Sequence, residues 1–194
     1  MAVDEQALAT SIENLTSTFH SSAAPPVQMA SAHLAAVVAA ADELLSTDAV
    51  GILLLDDTDK LRAVASTSAL ADRLEEAQQS LGIGPGHDCM ARRETILVED
   101  LAAEPDYAPL VAELASLQIG GVLSAPIWVG GAVIGNLNLT RHEAHRWTEP
   151  EIRAAAAYAE VVGQLLGASA QSGRVRPFPD RTHTTDTGGG NHAG

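Results

Sequence analysis

Two apolar runs, GGVLSAPIWVGG (120–131) and AVIGNLNLT (132–140), meet at the pair Gly130-Gly131. Two β-rich segments on either side of a two-glycine turn commit the chain to an antiparallel hairpin, because such tight loops need positive φ at their centre. A second hairpin precedes it. TDAVGILLLDD (47–57) reads as a buried strand ending in an acidic turn, and LRAVAST (61–67) alternates apolar and polar residues as the returning strand.

Helical periodicity surrounds these hairpins. Leu8, Ile12, Leu15 and Phe19 mark one face of a helix over 3–19, which Pro25 and Pro26 end. A second helix runs from Val27 to Leu45. Residues 69–80 form a short amphipathic helix with Leu70, Leu74 and Ala77 inward, and a further short helix lies around HDCMARRE. ETILVED (94–100) is a strand, and 101–118 is loop plus helix. The last helix starts with Thr148 as N-cap, Pro150 in the first turn and Glu151 three residues after the cap. The expected fold class is therefore α+β: an antiparallel sheet of about five to six strands flanked by helices, with the terminal helices forming a bundle. Residues 1–26 make an N-terminal helix and a Pro-containing linker, 27–170 the domain, and 171–194 a tail expected to be disordered for want of apolar residues.

Composition excludes several function classes. Eleven Lys and Arg stand against 25 Asp and Glu, a formal charge of −14, so a nucleic-acid phosphate surface would repel the chain. No direct nucleic-acid binding is expected. No apolar run reaches the roughly 18 to 20 residues of a membrane span, and the acidic N-terminus lacks the features of a signal peptide. The expected location is the cytoplasm. One cysteine, Cys89, permits neither an internal disulfide nor a cysteine-rich zinc site.

The stretch LGIGPGHDCM (81–90) admits three readings. As a phosphate loop it fails: Gly82, Gly84 and Gly86 have the wrong spacing, no strand precedes them and no Lys-Ser/Thr follows. As a nucleophile, Cys89 gains from a nearby helix start and from His87, but residues two apart do not share a helix face. The third reading is a backbone turn with a buried, Ala-like cysteine. HEAH (142–145) lacks the spacing of a metalloprotease motif, and DDTD (56–59) reads as a turn without the Gly and distal Glu of a calcium loop. No metal site and no catalytic residue are assigned.

Taken in order, LLDDTDKLRAVAST, LGIGPGHDC, TILVEDLAAEPDYAPLVAELASLQIGGVLSAPIWVGGAVIGNLNLTR and WTEPEI resemble a GAF domain over about residues 28–170. More closely they resemble the GAF half of actinobacterial GAF–ANTAR regulators, with Gly86 where the first cysteine of G-P-C is common and the ANTAR part absent. The resemblance implies a sensory or signal-transduction protein that binds a small molecule or a protein partner, in transcription regulation. Fold alone does not identify the ligand. The cyclic-nucleotide signature is missing, methionine sulfoxide reduction in this fold uses several cysteines, and a haem would need His87 or His33 as its axial ligand. The cofactor is left unknown.

A GAF pocket would be walled by the strand at Ile96–Val98, the 105–118 region, the strand Val122–Pro126 and the loop with Pro85. Its candidate ligand-binding residues are Pro85, Cys89, Val98, Asp100, Tyr107, Leu123 and Ser124. The alternatives are a ligand-free dimerisation module and, third, a Cys89-based redox enzyme. The last helix carries two apolar stripes, Ile152-Ala155-Ala159-Val162-Leu166 and Ala154-Tyr158-Val161-Leu165. A helix packed on one sheet needs one stripe, so the second predicts a homodimer through a helical bundle.

Overall fold

The computed structural model describes residues 3–21 and 26–171; the expected linker around 22–25 and the 172–194 tail lie outside the described residues. The chain runs α1 (Glu5–Ser21), α2 (Pro26–Leu45), β1 (Ala49–Leu55), β2 (Leu61–Ser66), α3 (Ala69–Leu81), α4 (Pro85–Arg92) and β3 (Ile96–Val98). Two 3-10 turns, Leu101–Ala103 and Pro105–Tyr107, lead into α5 (Ala108–Glu113), then β4 (Val122–Val129), β5 (Ala132–Thr140) and α6 (Glu149–Gln171). The strands form one sheet in the order β2-β1-β5-β4-β3, with every neighbouring pair antiparallel. The β4–β5 hairpin turns at Gly130 and Gly131, with φ of 58° and 84°, as the glycine pair requires.

Strand alternation divides the molecule into two layers. On one face Val50, Ile52, Leu123, Ala125, Ile127, Leu137 and Leu139 pack with α2 and α6, and α1 covers these helices through Leu15. On the other face α3, α4 and α5 enclose a second core of Leu74, Ala77, Cys89, Tyr107, Leu110 and Leu114 with Ile96, Val98 and Val122.

Both stripes of α6 are buried within the chain: Ala155, Ala159 and Val162 belong to the same core as Ala154, Tyr158 and Val161. The second partner of α6 is thus the chain's own α1 and α2. Tyr158 pins the three helices together, its hydroxyl donating to Ala40 O (3.1 Å) and sharing a hydrogen bond with Ser11 Oγ (2.8 Å). The double stripe therefore does not by itself require a second copy of the chain.

Local chemistry sets the element ends. Asp4 Oδ1 accepts from Gln6 N and Ala7 N at the start of α1. At the start of α6, Thr148 N and Oγ1 both donate to Glu151 Oε2 (2.8 and 2.7 Å), tying cap to first turn. Glu151 also meets Arg141 Nη2 (3.2 Å) and His145 Nε2 (2.9 Å). Burial raises its carboxyl, but the Thr148 donors and His145 outweigh this and hold it below its ordinary value. In the β1–β2 turn, Asp56 accepts from Thr58, Arg62 and Lys60, which hold its carboxyl well below the usual range. DDTD is a turn-forming carboxylate with its acceptors already engaged.

Helix α6 lies unusually close to β4. A Cβ at Gly163 would fall against the Trp128 carbonyl oxygen, whereas one at Gly167 would meet Val129 Cγ1 at an ordinary 3.7 Å. Gly163→Ala is expected to destabilise the fold by about 1–3 kcal/mol in urea unfolding. Gly167→Ala is expected to be neutral or stabilising by up to about 1 kcal/mol, because alanine is the better helix former.

Candidate functional site

The polar chemistry of the molecule gathers between α3, α4 and the inner face of the sheet. Cα register places Gly51, Asn138, Ser124 and Ile96 in one row across β1, β5, β4 and β3. The N-L-N-L alternation of β5 puts Asn136 and Asn138 on this face and Leu137 and Leu139 on the other. Glu75 and Gln78, three apart on α3, project onto the row. Glu75, Gln78, Ser124, Asn136 and Asn138 are all completely buried.

The bonds form a continuous chain. Asn138 Nδ2 donates to both Glu75 oxygens (2.8 and 2.9 Å), and Gln78 Nε2 donates to Glu75 Oε2 (3.0 Å). Ser124 Oγ donates to Asn138 Oδ1 at 2.5 Å. Gln78 Oε1 accepts from Gly86 N (2.8 Å), while Asn136 Nδ2 donates to Gly86 O (3.0 Å). The backbone of α4 is thereby clasped between an α3 side chain and a β5 side chain. Asn136 Oδ1 is buried without a partner. Burial pushes the Glu75 carboxyl up to about 7; the Asn138 and Gln78 amides oppose the rise and Asp72 adds to it.

The glycine stretch is now accounted for. Gly82 ends α3 in the left-handed region at φ 66°, its N–H bonded to Gln78 O. Gly84 has φ 142°, a conformation that side chains rarely adopt, and a Cβ there would overlap Gln78. A Cβ at Gly86 would come within 3.0 Å of Asn136 Oδ1 and 3.1 Å of Gln78 Oε1. At Gly51 it would fall on Glu75 Oε1. These glycines clear the space that the two α3 side chains fill.

The residues expected to line a pocket are distributed differently. Pro85, Cys89, Val98 and Tyr107 are buried on the α3–α5 side, and the last three are packed together in its core. Cys89 has no exposed surface, and burial, with Glu94 adding, pushes its thiol up to about 12. The Tyr107 hydroxyl donates to Asp88 Oδ2 (3.0 Å), and burial followed by Asp88 moves its ionisation higher still. Leu123 is a correction: it points to the α2–α6 core, because Val122 and Ser124 already occupy the other face. Asp100 is partly exposed and caps the first 3-10 turn through Ala102 N (3.1 Å). Only Ser124 joins the polar chain directly.

The histidines are dispersed as well. His87 Nε2 meets Gln78 O at 3.0 Å on α4, whereas His33 lies against the Phe19 ring on the far side of the sheet. In HEAH, His142 Nδ1 bonds to Gln118 O and His145 to Glu151, so the two rings face different partners.

Glu75, Gln78, Asn136 and Asn138 were not singled out by sequence reasoning. Leu70, expected inward, is only partly buried, and Glu75 and Gln78 take the inward positions beside Leu74 and Ala77. The available signal was the N-x-N alternation inside an otherwise apolar strand.

Two outcomes follow from this packing. Gly84→Ala is expected to cost about 3 kcal/mol or more in urea unfolding, against about 1 kcal/mol for Gly82→Ala, whose Cβ would meet open space. Cys89 is expected to react with an aromatic disulfide reagent only as the chain unfolds, its labelling rate rising with urea.

No curated protein matches the chain in sequence. Solved structures match its fold. A GAF domain from a phosphoenolpyruvate-protein phosphotransferase (ptsP) of Coxiella burnetii has a TM-score of 0.68 at 21% identity, covering 88% of this chain and 98% of that one. Free methionine-R-sulfoxide reductase from Neisseria meningitidis, solved with its substrate, scores 0.67 at 19% identity, with 89% and 96% covered. The PixJ GAF domain of Thermosynechococcus elongatus, in its blue-light absorbing form, scores 0.61 at 20% identity, with 77% and 91% covered. Among the described residues, no helix is long and apolar enough to cross a membrane. A family model described as GAF domain matches residues 32–166, well over half the sequence, and with the sheet order and two-layer packing seen above the chain belongs to the GAF domain family.

Proposed function

We propose that this chain is a non-enzymatic signalling GAF protein whose inner sheet face is closed by its own side chains and whose output runs through the α1–α2–α6 layer to a protein partner. The observation that carries this reading is the hydrogen-bonded filling of that face by Glu75, Gln78 and Asn138, backed by glycines that leave no room for a Cβ. The sole cysteine supports a non-enzymatic role, since a buried thiol held toward the neutral form is a poor nucleophile. Homodimerisation belongs to the same proposal. With both α6 stripes buried inside the chain, a second copy would have to meet the outer surface of α1 and α2. A place in transcription regulation rests on the sequence resemblance to GAF–ANTAR regulators alone, and the acidic charge assigns nucleic-acid contact to the partner.

A second reading, in which the same face opens to admit a small molecule, is favoured by one observation. Asn136 Oδ1 is a fully buried acceptor without a donor.

Native mass spectrometry of the full chain, purified gently from its own source, separates the two. The proposal expects the bare mass of one or two copies. A reproducible excess mass, lost on mild activation, would overturn it in favour of the small-molecule sensor. Turnover of free methionine sulfoxide that disappears in Cys89→Ser would instead establish the redox enzyme.

A further inference from the structure

Two carboxylates are buried among the described residues, and they are solvated in opposite ways. Glu151 faces Arg141 and His145. Glu75 faces only the amides of Asn138 and Gln78. A carboxylate out of water without a cation is held at considerable cost, which one proton removes. The surrounding space admits little else, because a Cβ at Gly51 or Gly84 would already overlap the Glu75 or Gln78 side chain.

We propose that Glu75 is a proton-operated switch: uptake of one proton from solvent turns it from acceptor to donor and reverses the hydrogen-bond chain running through Asn138 to Ser124. In the ionised form Asn138 Nδ2 donates to Glu75 and Asn138 Oδ1 accepts from Ser124 Oγ. In the protonated form the Glu75 O–H donates to Asn138 Oδ1 after the amide turns over. Asn138 Nδ2 then donates to Ser124 Oγ. One O–H bond forms on the carboxylate and no other covalent bond changes. The Gln78 Nε2 bond to Glu75 loses its charge assistance, so the clasp of Gln78 Oε1 on Gly86 N–H at the start of α4 loosens. This inference does not depend on which partner the module signals to.

The groups that surround Glu75 are few. On its own helix Asp72 lies one turn away and opposes ionisation. Helix α4 contributes His87, bonded to Gln78 O, together with Cys89 and the Asp88–Arg92 pair. Strands β1, β4 and β5 contain no ionisable side chain. His87 is therefore the group to separate from Glu75.

The sign of the pH effect follows from burial. Between the unfolded carboxyl's ordinary 4.5 and about 7, the folded chain holds a proton that the unfolded chain has released. Raising the pH through this window favours unfolding by up to about tenfold per pH unit in the equilibrium constant, levelling above the folded value.

NMR of the full chain between pH 5 and 8.5 tests the switch. The Glu75 Cδ resonance is expected to titrate near pH 7, with the Asn138 side-chain NH2 and the Gly86 amide following the same midpoint. His87→Gln is expected to keep this step. Glu75→Gln is expected to abolish it and to remove the corresponding pH dependence of unfolding. A Glu75 midpoint below pH 5, or Asn138 and Gly86 resonances that do not follow Glu75, would overturn the proposal. These readings come from the unaltered protein and hold even if a variant fails to fold.

Discussion

The Glu75 carboxylate, accepting from Asn138 and Gln78, is the interaction on which the inner half of this GAF domain depends. It places a polar anchor where an apolar helix face would ordinarily pack on a sheet. Such an anchor contributes position more than stability, because desolvating the carboxylate offsets much of what its hydrogen bonds return. Register is the gain. Asn138 sits between Gly51 and Ser124, so the bonds fix α3 over one row of the sheet. Gln78 then carries the same constraint to Gly86 and sets where α4 begins. The three glycines of LGIGPGH serve this packing. One ends α3, and the other two leave space for Gln78 and Asn136.

The sheet separates this polar centre from the helical layer, but only by one residue. Ser124 lies between Leu123 and Ala125, and Asn138 between Leu137 and Leu139; those four apolar neighbours pack under the outer helices. The strands that carry the inner-face hydrogen bonds are thus the ones that α6 grips closely, with Gly163 against the Trp128 carbonyl. Trp147 supplies a second link, its indole N–H donating to Val98 O at 3.1 Å from the segment that leads into α6. The pin at Tyr158 ties α6 to Ala40 and Ser11, so the three outer helices form one unit.

Much of the architecture was legible from periodicity and turn chemistry. The two hairpins, the Thr148–Glu151 cap and the short helix expected around HDCMARRE stand within a few residues of where spacing puts them. The site was less legible for a physical reason. Apolar periodicity identifies which residues are driven inward, whereas Glu75 is drawn inward by Asn138, 63 residues distant and invisible to a local window, and Gln78 by Glu75 and the Gly86 N–H. The second stripe on α6 predicts a homodimer from sequence, but its residues pack in the core that α1 and α2 share within the chain, which a local window cannot show. Leu123 was misplaced because a wall named as a continuous run ignores the period of two in a strand.

A double-mutant cycle between Gln78→Ala and Asn138→Ala, measured by urea unfolding at pH 8, tests the central claim most directly. If both amides serve one buried carboxylate, their effects are coupled by about 1–3 kcal/mol. Additivity within about 0.5 kcal/mol would mean that Glu75 does not join them, and the account of the inner face would fail.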